Sequence, residues 1–119
     1  MKIKLDETDS TVIKSNETYD VIDNTNLDKL IVSKTILHPG KETGGHNHSG
    51  QEEVYIFIKG RGKMVVGEET FRVNGKDTLI EPSIVLIPDG AFHKVFNTSK
   101  YKSNDDLEFI CVFDGGRNH

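Results

Sequence analysis

His46 and His48 are separated by one residue, and they are the first side chains along the chain whose types and spacing suit metal binding. In an extended segment two such residues point the same way, with α-carbons roughly 6 to 7 Å apart. Imidazoles at that separation can reach one ion through bonds of about 2 Å. A histidine pair alone is weak evidence, because most histidines are surface or hydrogen-bonded residues. A metal site therefore requires further ligands that converge on the same point.

Glu53 and His93 are the further candidates. In an unbroken strand Glu53 would face away from the two histidines, but a turn or bulge at residues 49–51, Ser-Gly-Gln, can reset the register. Glu52 stands beside Glu53 and is the competing carboxylate. His93 follows a Pro-Asp-Gly turn and opens a predicted strand. Three histidines and a carboxylate suit one divalent transition metal, which could be manganese, iron, nickel, copper or zinc, with room for water or substrate.

The elements that must position these residues are predicted strands. The segments are short, rich in valine, isoleucine and phenylalanine, and separated by turn residues. They span residues 30–37, 53–59, 63–67, 70–73, 83–88, 92–97 and 107–113. No ten-residue stretch has a convincing helical repeat of apolar positions. The pattern predicts an all-β sandwich or barrel.

The chain divides into three regions within one domain, which is what 119 residues can accommodate. Residues 1–29 are polar and are expected to form edge strands or an arm of the same domain. Residues 30–113 hold the predicted strands of the barrel. Residues 114–119 are expected to be a flexible tail.

The strand at residues 53–59 has two apolar faces rather than one. Its alternate residues are Glu53, Tyr55 and Phe57 on one side, and Val54, Ile56 and Ile58 on the other. A strand with a wet face should alternate apolar and polar residues, so both faces are expected to be covered. The opposite sheet can cover one face, and the N-terminal segment or a second subunit the other. A homodimer is therefore expected.

Composition excludes several classes of function. The net charge of −4 and the scattered lysines argue against nucleic acid as a partner. No apolar run approaches the roughly 20 residues needed to cross a membrane, and the first ten residues lack the apolar core of a secretory signal. We expect a cytoplasmic protein. The single cysteine, Cys111, lies in the apolar run FICVF and is expected to be a buried small hydrophobe.

Two blocks of the sequence resemble the two motifs of the cupin superfamily. Residues 40–60, GKETGGHNHSGQEEVYIFIKG, fit the first motif, GxxxxxHxHxxxxExxxxxxG, at Gly40, His46, His48, Glu53 and Gly60. Residues 88–97, PDGAFHKVFN, fit the second, PxGxxHxxxN, at Pro88, Gly90, His93 and Asn97. One departure is Pro82, where the second motif ordinarily begins with a glycine.

The resemblance implies a small single-domain cupin, a jelly-roll β-barrel or double-stranded β-helix. It also implies a metal held inside the barrel by His46, His48, Glu53 and His93. Glu53 is preferred to Glu52 because its spacing to Gly60 fits the motif.

Cupins similar to this chain include isomerases, sugar-acid enzymes, dioxygenases, decarboxylases and proteins that only bind ligands, so fold and metal do not determine the reaction. Proton transfer has two candidates among the residues expected to face inward, Tyr55 and the ligand Glu53, and Tyr55 is the predicted catalytic residue. Phe57, Phe92 and Val95 are predicted to line the substrate site. Since no inward arginine or lysine can be assigned for a phosphate, we expect a small oxygenated or carboxylated molecule as ligand or substrate.

The favoured interpretation is a metal-dependent isomerase, lyase or oxidoreductase. A cupin that only binds a small molecule or a metal is the first alternative. A metal-free barrel that acts as an interaction domain is the second.

Overall fold

The computed structural model describes residues 1–47, 49–100 and 105–115, and these residues form strands, turns and loops. The strands are β1 (Thr11–Ser15), β2 (Tyr19–Asn24), β3 (Leu30–Leu37), β4 (Glu53–Lys59), β5 (Arg61–Val66), β6 (Glu69–Asn74), β7 (Ile84–Ile87), β8 (His93–Phe96) and β9 (Leu107–Asp114). Within the described ranges there is no helix, and hence none that could cross a membrane. The all-β prediction is confirmed.

The strands form two antiparallel sheets. The larger sheet has the order β1-β2-β3-β9-β4-β7, and the smaller has the order β6-β5-β8. The predicted strands at residues 30–37 and 53–59 coincide with β3 and β4, and the other predicted strands differ from the observed ones by one or two residues at an end. Alternation of apolar residues was sufficient to find these elements because each strand has a face turned to the core.

The core lies between the two sheets. Its side chains come from both sheets and from strands far apart in sequence, which makes the molecule a two-layer sandwich closed into a barrel. The buried apolar residues are Leu37, Tyr55, Phe57, Met64, Val73, Val85, Ile87, Val95, Leu107, Phe109 and Cys111. Cys111 is thus a buried residue with a free thiol.

The strands β1 and β2 extend the larger sheet beyond β3. β2 pairs with β3 along its whole length, from Tyr19 opposite Leu37 to Asn24 opposite Val32. The Asn24 amide donates to the Asp9 carbonyl oxygen and to the Ser10 hydroxyl, which joins the residues before β1 to this end of the hairpin. Residues 1–29 therefore contribute two strands at one edge of the sheet.

The register of the larger sheet places polar residues in one row on its inner face. Asp23 pairs with Ser33, Ser33 with Cys111, and Cys111 with Tyr55. Directly paired residues in antiparallel strands share a face, so these side chains point to the same side. The adjacent row runs from Phe113 to Glu53. This register brings β2 and the start of β4 to one surface.

The outer face of β4 and β7 is apolar and open. Val54 and Ile56 are partly buried, whereas Ile58, Ile84 and Leu86 are exposed. The strands β1 and β2 lie at the opposite edge of the sheet, so they do not cover this surface.

Candidate metal centre

Three side chains converge at one end of the barrel interior: His46, Glu53 and His93. One potential ligand atom from each lies within 4.8 Å of the others. The backbones of His46 and His93 form an isolated antiparallel bridge, with N–H to carbonyl distances of 3.1 and 3.0 Å. Their imidazole centroids are 4.4 Å apart. The bridge therefore aligns two residues that are far apart in the sequence.

The break before β4 turns Glu53 towards these histidines. Gly50 adopts a φ of +80°, which is strained for residues with a side chain, and its N–H donates to Asp89 Oδ1 at 2.6 Å. β4 begins at Glu53, whose side chain is 8% exposed, whereas Glu52 is exposed. Of the two adjacent carboxylates, Glu53 is the one that points into the barrel.

The orientation of His93 favours its Nε2 atom as the metal-facing nitrogen. Its Nδ1 lies 3.0 Å from the Ala91 carbonyl oxygen. A carbonyl oxygen can only accept a hydrogen bond, so Nδ1 carries a proton and donates it. Nε2 then faces Glu53 Oε2 at 2.9 Å. A carbonyl that holds the second nitrogen is the arrangement usual for histidines that bind metals.

The electrostatics of the metal-free site favour a protonated His93. Burial by itself lowers the pKa of His93, but the Glu53 carboxylate and the Ala91 carbonyl outweigh it, so the pKa lies above its ordinary value of 6.5. In the charged form of His93, the proton on Nε2 points toward the Glu53 carboxylate, which is 2.9 Å away. Metal binding must therefore displace this proton.

The donor set fits a divalent transition metal. Ligand atoms bound about 2.1 Å from one ion lie roughly 3 to 4.2 Å apart, so donors within 4.8 Å of one another need to shift by less than about 1 Å. Two imidazoles and a carboxylate suit manganese, iron, nickel, copper and zinc alike. His48, the remaining predicted ligand, lies outside the described residues.

A cavity of about 610 Å³ opens beside His46 and Glu53. Its lining includes His46 and Glu53, the loop from Thr43 to Gly45, and inward residues of the larger sheet. The strands β1 and β2 contribute Ile13, Lys14, Tyr19, Val21 and Asp23 to the lining. The N-terminal strands thus form one wall of the cavity.

Tyr55 lies between the predicted ligands and the core. Its ring centroid is 5.7 Å from that of His93, and the ring stacks on Phe109 at 5.2 Å. Burial is the main cause that raises the pKa of Tyr55 well above its ordinary value, and Cys111 and Glu53 add to the effect. The phenol is therefore neutral at neutral pH and can donate a hydrogen bond.

The aromatic and apolar residues predicted to line a substrate site occupy different places. Phe57 and Val95 are fully buried members of the core, and neither lies among the residues that line the cavity. Phe92 is 43% exposed and packs beside Gly45, where an added Cβ would lie 2.8 Å from its ring. Phe92 therefore supports the loop that carries His46.

Asp23, Ser33 and Thr35 are among the polar lining residues that the sequence interpretation missed. Ser33, Thr35 and the buried Leu37 occupy every second position of β3, so their side chains all point to the inner face. This alternation was the available signal for these two residues. No comparable signal marked Asp23, because its inward position depends on the pairing of β2 with β3.

Comparison with known proteins identifies the family. The Cupin domain family matches residues 33–113. The chain belongs to the cupin family. The resemblance drawn from the two sequence motifs is thus confirmed, together with the jelly-roll architecture.

Similar proteins show how far the likeness extends. This cupin is 31% identical over 83 residues to the uncharacterized protein MJ1618 of Methanocaldococcus jannaschii, and the match spans 70% of this chain and 58% of that relative's length. The structure of KdgF from Halomonas sp. superposes with a TM-score of 0.75 at 11% identity, covering 99% of this chain and 97% of that one. A predicted oxalate decarboxylase from Thermotoga maritima superposes with a TM-score of 0.70 at 21% identity, covering 96% and 98%. At these identities the structural likeness shows the fold alone.

Proposed function

We propose that this cupin is a metal-dependent enzyme that acts on a small oxygenated or carboxylated metabolite. The observation that supports it most is the convergence of His46, Glu53 and His93 at a cavity large enough for a small molecule. His48 is proposed as the fourth ligand. Isomerase, lyase and oxygenase chemistry are all compatible with such a site, and we propose one of these classes.

The residues of the chain have distinct roles in this proposal. A bound divalent metal would supply stabilisation of negative charge on substrate oxygen atoms. His46, which is exposed, lies where the ion would be open to the cavity. Tyr55 would hold a proton at its phenol oxygen and donate it to the bound molecule. The aromatic side chains Phe109 and Phe113 line the cavity and would limit the access of water.

The charge of the cavity favours a carboxylate or carbonyl group over a phosphate. Among the described lining residues the only lysine or arginine is Lys14, which is exposed. Its ammonium group lies 5.7 Å from the centroid of the Tyr19 ring. A phosphate normally requires arginine or several donors, whereas a carboxylate can bind through the metal. The predicted oxalate decarboxylase of the same fold supports this choice as an analogy only.

The proposal is tested by elemental analysis and by turnover. We expect about one equivalent of a transition metal in protein purified without an affinity tag, and loss of that metal in His46→Ala. His38→Ala is the matched control, because His38 pairs with Asp106 and Asp20 outside the site. Wild-type protein reconstituted with each of the five metals is then assayed on sugar acids, keto acids and catechols. Absence of metal in the wild type, or of turnover with every metal, would contradict the proposal.

The second candidate is a cupin that binds a ligand without reaction. It is favoured by the state of two titratable groups near the site, Tyr55 and Cys111. Burial is the main cause that raises the pKa of both, so both keep their protons at neutral pH. Neither group can act as a base at neutral pH. Mass spectrometry of gently purified protein distinguishes the two candidates. A bound metabolite that is released unchanged supports binding, and a converted one supports catalysis.

We also propose a homodimer through the outer face of β4 and β7. Ile84 is 63% and Leu86 70% exposed on this face, and β7 is an edge strand. A second copy would present the same apolar surface, as a two-fold interface requires. Light scattering should show a dimer that Leu86→Lys converts to a monomer. Leu79→Lys, at an exposed loop position, should remain dimeric.

The cytoplasm is the proposed location of this cupin, and neither nucleic acid nor a membrane is proposed as a partner. Fractionation of cells that express the chain tests the location. A titration with duplex DNA at low salt tests the exclusion of nucleic acid, and we expect no binding at micromolar protein.

A further inference from the structure

Asp23 is a carboxylate on the wall of the cavity that the proposed metal chemistry does not use. It lies on β2 and lines the cavity. The inner-face row of Asp23, Ser33, Cys111 and Tyr55 connects it across the sheet to the residue beside the predicted metal ligands. Asp23 and the metal ligands therefore border the same space from two sides.

One oxygen of Asp23 has no hydrogen-bond donor among the described residues. Its Oδ1 atom is buried and accepts no hydrogen bond there. Lys14, the nearby lining cation, lies over the ring of Tyr19 instead. Buried polar atoms in native proteins are nearly always paired, and exceptions occur at functional sites. Since Asp23 also lines the cavity, its carboxylate group has acceptor capacity that a ligand hydroxyl group can use.

The distance along the sheet sets the size of that ligand. Asp23 and Tyr55 are three strand spacings apart, which at about 4.8 Å each is roughly 14 Å between their α-carbons. Both side chains point inward and the sheet curves, so the remaining gap is about the length of a five- or six-carbon chain. A two-carbon ligand at the metal would not reach Asp23.

We propose that Asp23 determines specificity by accepting a hydrogen bond from a hydroxyl group of the ligand, whose carboxylate lies at the metal. The ligand class is then a hydroxylated monocarboxylate of about five or six carbons. A second carboxylate at the far end would meet the charge of Asp23 and is disfavoured. This inference rests on the proposed metal site, which orients the carboxylate.

The test compares three six-carbon probes in isothermal titration calorimetry. Gluconate has one carboxylate and several hydroxyl groups, hexanoate has the carboxylate alone, and glucarate has a carboxylate at both ends. We expect wild-type protein loaded with manganese to bind gluconate at least about tenfold more tightly than either other probe, because a charge-assisted hydrogen bond has this magnitude.

Two variants separate the charge of Asp23 from its hydrogen bond. Asp23→Ala should lower gluconate affinity by about tenfold or more. Asp23→Asn, which keeps an acceptor and removes the charge, should bring glucarate to within about threefold of gluconate. The affinity for manganese alone should change by less than about twofold in both. Asp20→Asn is the matched control: it lies on the same strand with opposite parity, and it should keep the wild-type preferences.

Several outcomes would overturn the inference. They are an equal affinity of the wild type for gluconate and hexanoate, an unchanged preference in both variants, and a fall of more than about 5 °C in the melting temperature of Asp23→Ala, which would assign Asp23 to the fold. The titration with manganese alone separates the two proposals. A wild type that fails to bind manganese contradicts the metal site, whereas a wild type that binds manganese and does not prefer gluconate to hexanoate contradicts the role of Asp23 alone.

Discussion

The two walls of the cavity are built in different ways. The metal wall consists of the lining residues His46 and Glu53, together with the buried His93 that contacts Glu53. The hairpin wall consists of the lining residues of β1 and β2: Ile13, Lys14, Tyr19, Val21 and Asp23. In the metal wall, Glu53 and His93 are buried and touch each other. In the hairpin wall, β1 is exposed throughout and occupies the edge of the sheet.

This difference assigns a separate task to each wall. The metal wall fixes the geometry of the metal ligands, and the hairpin wall selects the molecule that binds. Metal chemistry requires donor atoms held within a fraction of an ångström, and a buried, mutually bonded group provides that. Recognition of the remote end of a ligand tolerates more freedom, which an edge hairpin has because it pairs with the sheet on one side only. Substitutions in the metal wall should therefore affect metal binding and stability together, whereas substitutions in the hairpin wall should leave the metal unaffected.

The largest effect is expected for His93→Ala. Removal of the imidazole leaves the Glu53 carboxylate buried without this partner, which should lower the free energy of unfolding by about 3 kcal/mol or more. Metal content should fall from about one equivalent to below about a tenth, because the central ligand is gone. Urea denaturation and elemental analysis measure the two effects.

His38→Ala is the control for His93→Ala. Its imidazole is partly exposed and pairs with Asp106, so the loss should be about 1 kcal/mol or less. If His93→Ala retained stoichiometric metal, metal binding would not depend on the metal wall. The proposed difference between the two walls would then be wrong.

The next effect concerns the two adjacent glutamates. Glu53→Gln should weaken metal binding by at least about tenfold, because a neutral amide replaces an anionic ligand. Glu52→Gln should leave the affinity unchanged, since Glu52 is exposed. Competition with a fluorescent chelator measures both. Equal losses in the two variants would show that the carboxylates are interchangeable and that burial of Glu53 does not select the ligand.

The third effect is a dependence on pH in metal-free protein. The pKa of His93 is raised above 6.5 in the folded state, so its ion pair with Glu53 stabilises the fold fully below pH 6.5. This stabilisation should be lost as the pH rises through the folded pKa, while metal affinity rises over the same range because His93 must release its proton.

Urea denaturation in the presence of a chelator, from pH 5.5 to 8.5, measures this third effect. Glu53→Gln is the control, since it removes the carboxylate that holds the proton on His93. We expect the wild type to lose stability relative to Glu53→Gln as the pH rises from 5.5 to 8.5. If it does not, the ion pair between protonated His93 and Glu53 is refuted.

The smallest effect is expected in the hairpin wall. Val21→Ala removes two methyl groups from a partly buried side chain, which should lower stability by about 1 kcal/mol. Manganese affinity should stay within about twofold of the wild type, because Val21 lies on a strand that carries no predicted ligand. Thermal denaturation and metal titration measure the two quantities. A parallel loss of metal affinity would mean that the walls are coupled.

Much of the fold could be predicted from the sequence because the signals are local. The alternation in residues 30–37 and 53–59 depends only on which side chains face the core, and β3 and β4 have these bounds. The spacing around Gly50 likewise predicted a break that turns Glu53 inward, and Gly50 has the positive φ that such a break requires. Both features arise within a few residues of chain.

Depth inside the barrel could not be predicted in the same way. Phe57 and Val95 point inward, but both are enclosed by core side chains and do not border the cavity. Parity along a strand gives the face of a residue, but not whether the space before that face is filled by the opposite sheet.

By itself, the sequence determined the strands from β3 to β9 and the cupin family, because periodicity and motif spacing are properties of short segments. Tertiary structure alone decided that Asp23 borders the cavity that contains Glu53. That neighbourhood follows from pairing of β2 with β3, β3 with β9, and β9 with β4, whose partners are distant in the chain. Register between such strands is set by packing of the whole sheet, and no single segment encodes it.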